Sequence, residues 1–129
     1  MSEELKVAVV GLGYFAEFHL DAWTELEGAR LVTISDLSDE RRAWASDKYG
    51  INASIDVSDV IASDPDIIDI VTPPPSHFEL IKKLAAKDKI IICQKPFCLS
   101  VEQAEEAIAF ANERGCRIFI HENMKYEYN

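Results

Sequence analysis

Short aliphatic runs alternate with stretches of helical periodicity from one end of this chain to the other. Six runs read as strands: Leu5 to Val10, Leu31 to Ser35, a weak one at Ala53 to Ile55, Ile67 to Val71, Ile90 to Cys93, and Arg117 to His121. Their β-branched, nearly continuous apolar character suits strands covered on both faces, as in a parallel sheet. Between the first two, Phe15, Phe18, Ala22 and Leu26 recur at helical spacing and predict one buried helix face. Asp39 to Tyr49 predicts the second helix, with Ser38 as N-cap and Gly50 as its stop. Val57 to Ala62 is at most a short helix. Ser76-x-x-Glu79 and Ser100-x-x-Gln103 match the capping box, so helices should begin just after Ser76 and Ser100. Leu80, Ile81 and Leu84 give the first its apolar stripe; Val101, Ala104, Ile108 and Ala111 give the second, which Gly115 ends. Together these elements predict an α/β protein, one doubly wound parallel sheet with strand order 3-2-1-4-5-6 and right-handed crossovers, spanning residues 1–129 as a single domain. Ligands of such sheets bind beyond the carboxyl ends of the strands, where the strand order reverses. That selects the loops Gly11 to Ala16, Asp36 to Ser38, Thr72 to His77 and Gln94 to Phe97.

The first of these loops carries the most specific signal. The strand LKVAVV runs into G-L-G-Y-F-A and then into a helix, the context a dinucleotide-binding fingerprint requires. Gly11 permits a tight turn, Gly13 removes a side chain that would hold a pyrophosphate off the main chain, and Ala16 is small enough for close packing of helix on strand. Tyr14 and Phe15 lie inside the same loop. Glycine-rich turns also occur for packing alone, but here an acid closes the second strand. Asp36 stands at the spacing of a carboxylate that accepts from ribose hydroxyls and repels a 2′-phosphate, which selects NAD rather than NADP. The competing reading of Asp36 is a helix-flanking turn residue. Arg41 and Arg42 read as solvated arginines in a helix's first turns, with a phosphate clamp as the alternative.

Composition narrows the function classes. At 129 residues and 48% hydrophobic, the chain is long enough for its own core. A formal net charge of −10 without a basic stripe argues against nucleic acid, whose binding depends on neutralising phosphates. Apolar runs are strand-sized and MSEEL leads directly into a strand, so neither a membrane span nor a signal peptide is expected, and a cytoplasmic protein is. Cys93, Cys98 and Cys116 lack C-x-x-C spacing and read as buried thiols. With His19, His77 and His121 scattered, no metal site is expected.

Two further loops bear on chemistry. Thr72-Pro73-Pro74-Pro75-Ser76-His77 reads as an extended, stiff segment that either walls a flat ring or simply delivers the chain to Ser76. His77 falls in a helix's first turn, where a surface or capping role is the plain reading. In Gln94-Lys95-Pro96, Lys95 follows an apolar strand and precedes a proline that can take the cis form. An ammonium there can hold a substrate oxygen and stabilise charge on it during hydride transfer.

The combination VAVVGLGYFAEFH, ISD, VTPPPSH, QKP and a last strand running into HENMKY resembles the glucose-fructose oxidoreductase, inositol dehydrogenase and rhizopine-catabolism (Gfo/Idh/MocA) oxidoreductases over essentially the whole chain. The resemblance implies the Rossmann fold and an NAD(P)-dependent dehydrogenase acting on a hydroxyl or carbonyl substrate such as a sugar or polyol. It places Gly11, Gly13 and Ala16 at the pyrophosphate, Asp36 at the adenosine ribose, and Thr72, Pro73 and His77 beside the cofactor. It makes Lys95 the catalytic or substrate-positioning lysine and puts Asn123 near nicotinamide. Gln94 stands where the family usually has glutamate, and Lys125 where many members have arginine. The family's second domain, which completes the substrate pocket and oligomer contacts, is expected to be absent, leaving the chain able to bind cofactor without turning over substrate. Self-association through the face that domain would cover is a further possibility. A non-catalytic NAD-sensing or interaction module is the alternative. A methyltransferase shares the glycine loop and the acid, and Ala16 and the lysine-proline pair speak against it.

Overall fold

A computed structural model describes residues 4–13, 15–94 and 100–121. Six strands, β1 (Leu5–Val10), β2 (Ala29–Ser35), β3 (Ala53–Ser54), β4 (Ile67–Ile70), β5 (Ile90–Gln94) and β6 (Arg117–His121), pair in the order β3-β2-β1-β4-β5-β6. Every pairing is parallel. The helices are α1 (Ala16–Glu25), α2 (Asp39–Tyr49), α3 (Val57–Ala62), α4 (His77–Leu84) and α5 (Val101–Glu113). The doubly wound α/β fold expected from the periodicity is therefore present, with strand ends displaced by two residues at most.

Two cores lie on opposite faces of the sheet. On one, Ala8, Val10, Ile68, Ile70, Ile91 and Cys93 meet Ile81 and Leu84 of α4, Ala107 and Ala111 of α5, and Val60 of α3. On the other, Val7, Val9, Leu31, Ile34 and Ile67 meet Ala16 and Leu20 of α1 and Ala45 of α2. A register shift sets Val7 opposite Leu31 but Ala8 opposite Thr33. The extra residue is a bulge, and it brings Leu31 and Ile34 to the same face although they are three positions apart. Cys93 and Cys116 are buried, as expected; Cys98 lies outside the described residues.

Caps explain where the helices begin. Ser38 accepts from the Arg41 amide, Asp56 from Ser58 and Ser100 from Gln103, and Gly50 closes α2 in the left-handed conformation. The capping box expected at Ser76 does not form. Its hydroxyl turns back to Thr72 Oγ1 at 2.5 Å and the Pro73 carbonyl at 2.8 Å. The proline segment is likewise not fully extended, since Pro74–Ser76 make one 3₁₀ turn.

The expected face of α1 is also corrected. Phe15, Phe18 and Leu26 are 63%, 69% and 55% exposed and Ala22 is exposed, while Ala16 and Leu20 are buried and Trp23 packs against them. The spacing Ala16, Leu20, Trp23 is equally helical. The tight approach of Ala16 to the sheet decides between the two faces.

Tyr49, ending α2, donates its hydroxyl to Asp21 of α1 at 2.7 Å. Burial, and then this bond, push the phenol from 10.0 up to about 12. The folded chain thus keeps a proton that an unfolded tyrosine loses near pH 10, so this contribution is complete below pH 10 and disappears as pH climbs to about 12. Urea unfolding of Tyr49→Phe should show a weaker loss of stability over that window than the parent chain.

Candidate dinucleotide site

The glycine loop is held by backbone contacts before any ligand enters. The Gly11 amide donates to the Ser35 carbonyl at 2.7 Å, and Gly11 has a φ of +103°. A Cβ here would lie 2.7 Å from Thr72 Cγ2 and 2.8 Å from the Thr72 amide nitrogen. Gly11 therefore lets the loop after β1 press on the loop after β4. Gly13 differs: it is exposed, and a Cβ built there meets nothing within 4 Å. Protein atoms leave that space open. Phe15, the N-cap of α1, supplies no side-chain cap bond, and the Ala16 amide donates to the Gly13 carbonyl at 3.0 Å.

Asp36 ties the loop to the end of β2. One carboxylate oxygen accepts from the Leu12 amide and the other from the Ser38 amide, both at 2.8 Å. Each oxygen retains a lone-pair direction for a ligand hydroxyl. The two arginines are not solvated, which corrects the plain reading of them. Arg41 donates Nε–H to the Leu12 carbonyl at 2.7 Å and lies 4.2 Å over the Trp44 ring. Arg42 donates to the Asp36 carbonyl at 2.9 Å and pairs with Asp39. Leu12, Gly13, Glu17, Asp36, Arg41 and Trp44 line a cleft of about 470 Å³. Arg41 and Trp44 were legible as neighbours, being three apart on one helix. Their place in the cleft was not.

The loop after β4 packs against the glycine loop at Gly11. Thr72 is half-buried and Pro73 exposed. His77, expected at the surface or at a cap, has no exposed surface at all, and its Nε2 lies 2.7 Å from the Thr72 carbonyl. It holds the loop from behind. Phe15 sits beside the glycine loop with its ring 6.5 Å from that of Phe18. Tyr14, Lys95 and Asn123 lie outside the described residues.

Sequence reasoning missed one polar cluster under α1. Asp69 of β4 is 2% exposed; its Oδ2 accepts from Trp23 Nε1 at 2.8 Å and lies 2.7 Å from His19 Nδ1. The other ring nitrogen of His19 is 3.3 Å from the amide nitrogen of Gln94, the last residue of β5. The only sequence signal was an aspartate inside the aliphatic run IIDI.

Gly11→Ala should destabilise the fold by roughly 2 to 4 kcal/mol, combining a disfavoured positive φ with overpacking against Thr72. Chemical unfolding monitored by circular dichroism measures it.

Residues 5–122 match the family model described as an oxidoreductase family with an NAD-binding Rossmann fold. D-apiose dehydrogenase of Paraburkholderia graminis is 32% identical over 127 residues, covering 97% of this chain and 34% of that protein. Inositol 2-dehydrogenase of Rubrobacter xylanophilus is 29% identical, with 91% of this chain and 34% of the relative aligned. Among solved structures, an oxidoreductase from Agrobacterium radiobacter in complex with NAD+, L-tartaric acid and magnesium superposes with a TM-score of 0.88 at 32% identity, covering 95% of this chain and 36% of that one. The chain thus spans about a third of the length of the relatives it matches. An NAD-binding Rossmann domain with a glycine loop clamped by Asp36, matched along nearly its whole length, belongs to the Gfo/Idh/MocA oxidoreductase family.

Proposed function

We propose that this chain is the NAD-binding part of a dehydrogenase that moves a hydride between the nicotinamide and a hydroxyl or carbonyl carbon of a sugar or polyol. The observation that carries the reading is the cleft beside Gly13, with Asp36 fixed at its far wall by two main-chain amides. The open space at Gly13 fits a pyrophosphate, and the start of α1 beside it suits its charge. Bound there, the dinucleotide supplies the hydride acceptor or donor.

The chain's own residues bind and orient. Asp36 takes the adenosine ribose hydroxyls, and its negative charge disfavours a 2′-phosphate, so NAD is preferred to NADP. Arg41, stacked on Trp44, closes the adenosine end. Gly11, Gly13, Phe15 and Ala16 border the diphosphate, with Tyr14 in the same loop. Thr72 and Pro73 wall the cleft, and His77 holds their loop in place. By the family resemblance, Gln94 and Asn123 are assigned to the nicotinamide. Lys95, the residue after β5, holds the substrate oxygen and handles its proton. One domain offers one wall only, and shielding a substrate from water takes a second. The isolated chain therefore binds cofactor with negligible turnover, and D-apiose and inositol dehydrogenases among its relatives point to polyhydroxy substrates.

Titration calorimetry should find NAD binding tighter than NADP. Asp36→Ser should move that ratio at least about tenfold toward NADP, the size expected from losing charge-assisted hydrogen bonds. Gly13→Ala should leave stability within about 0.5 kcal/mol and still weaken NAD binding, since the added methyl enters ligand space. Tighter binding of NADP by the parent chain overturns the role of Asp36. Lys95→Ala should leave NAD affinity largely intact and abolish turnover in a full-length dehydrogenase that includes this chain; retained turnover removes Lys95 from the mechanism.

A further inference from the structure

The cleft beside Gly13 sets an electrostatic problem for the ligand proposed above. Glu17 and Asp36 both line it, with Arg41 as the cation between them and solvent. A dinucleotide brings negative charge on its diphosphate, and a carboxylate in the same crevice repels it. Asp36 is engaged through both oxygens with the Leu12 and Ser38 amides. Glu17 has no main-chain donor of that kind among the described residues. It stands in the first turn of α1, the helix that starts three residues after Gly13. A carboxylate in that turn stabilises the helix and competes with an anionic ligand for the same end of the dipole.

Glu17 is bonded instead to Lys48. The ammonium comes from the last turn of α2 and donates to Glu17 Oε2. A second acid, Asp21, has its Oδ1 4.0 Å from the ammonium, and that oxygen already accepts from the Tyr49 hydroxyl. Lys48 Nζ also lies 5.7 Å from the centre of the Trp44 ring and 5.4 Å from that of Tyr49. Trp44 lines the cleft and Lys48 does not, so the ammonium stands behind the wall. The hydrogen bond to Glu17 holds the Lys48 pKa above the usual lysine range, which keeps the ammonium charged. Both side chains are half-exposed, and pairs so exposed contribute little to folding. The place of this one beside the cleft gives it another use.

We propose that Lys48 is a positioning residue for cofactor binding: it acts through Glu17, tethering that carboxylate to α2 and offsetting its charge so that the start of α1 can accept a diphosphate. Glu17 opposes the anion, and Lys48 matters only while Glu17 is charged.

This role rests on the dinucleotide reading above. Titration calorimetry of the intact chain with NAD, at about 0.01 M ionic strength, should show Lys48→Ala binding about three- to tenfold more weakly than the parent. Glu17→Gln should bind at least as tightly as the parent, and adding Lys48→Ala to it should cause no further loss. At about 1 M salt, where charges are screened within about 3 Å, the loss in Lys48→Ala should fall below about twofold. A lysine acting directly on the phosphates, or one needed only for the fold, would weaken binding in the Glu17→Gln background as well; that result overturns the proposal. Unchanged affinity in Lys48→Ala at low salt also overturns it and leaves the dinucleotide reading in place. If the parent chain binds no NAD, the dinucleotide reading itself fails, and the role of Lys48 with it.

Discussion

The carboxylate of Asp36 is the contact on which the site depends. It accepts from Leu12 in the glycine loop and from Ser38 at the cap of α2, so it joins the end of β2 to that loop and to the start of α2. The arginines of α2 close the same knot, Arg41 on the Leu12 carbonyl and Arg42 on that of Asp36. The side chain proposed above to take the adenosine ribose is thereby also one that shapes the loop beside it.

Most of the framework was legible because its cause is local. Aliphatic runs announce strands covered on both faces, and Ser38, Ser100 and Gly50 punctuate helices through bonds spanning three or four residues. Strand order followed from the connectivity rules once six strands were in hand. The NAD-binding character of the domain was legible for a different reason, in the glycine pattern between β1 and α1 and the acid after β2.

What escaped notice depends on long-range geometry. The buried face of α1 could not be chosen from periodicity, because Phe15, Phe18, Ala22 and Leu26 keep helical spacing as well as Ala16, Leu20 and Trp23 do. The bulge in β2 that aligns Leu31 with Ile34 has no marker in its sequence. Ser76 has the residues of a capping box, yet its hydroxyl finds better partners in Thr72 and Pro73, which the 3₁₀ turn brings close. His19 and Asp69 are separated by half a hundred positions, and only the sheet makes them neighbours. The plain reading of His77 as a surface or capping residue followed from its place at a helix start, and the structure buries it against the Thr72 carbonyl.

The contact of Gly11 with Thr72 couples the loop after β1 to the loop after β4 mechanically. With its absent side chain replaced by the other loop, neither loop can retreat without opening a void, nor advance without collision. The spacing of these two strand ends is accordingly a property of the chain's own packing, fixed by a missing methyl rather than by a bond.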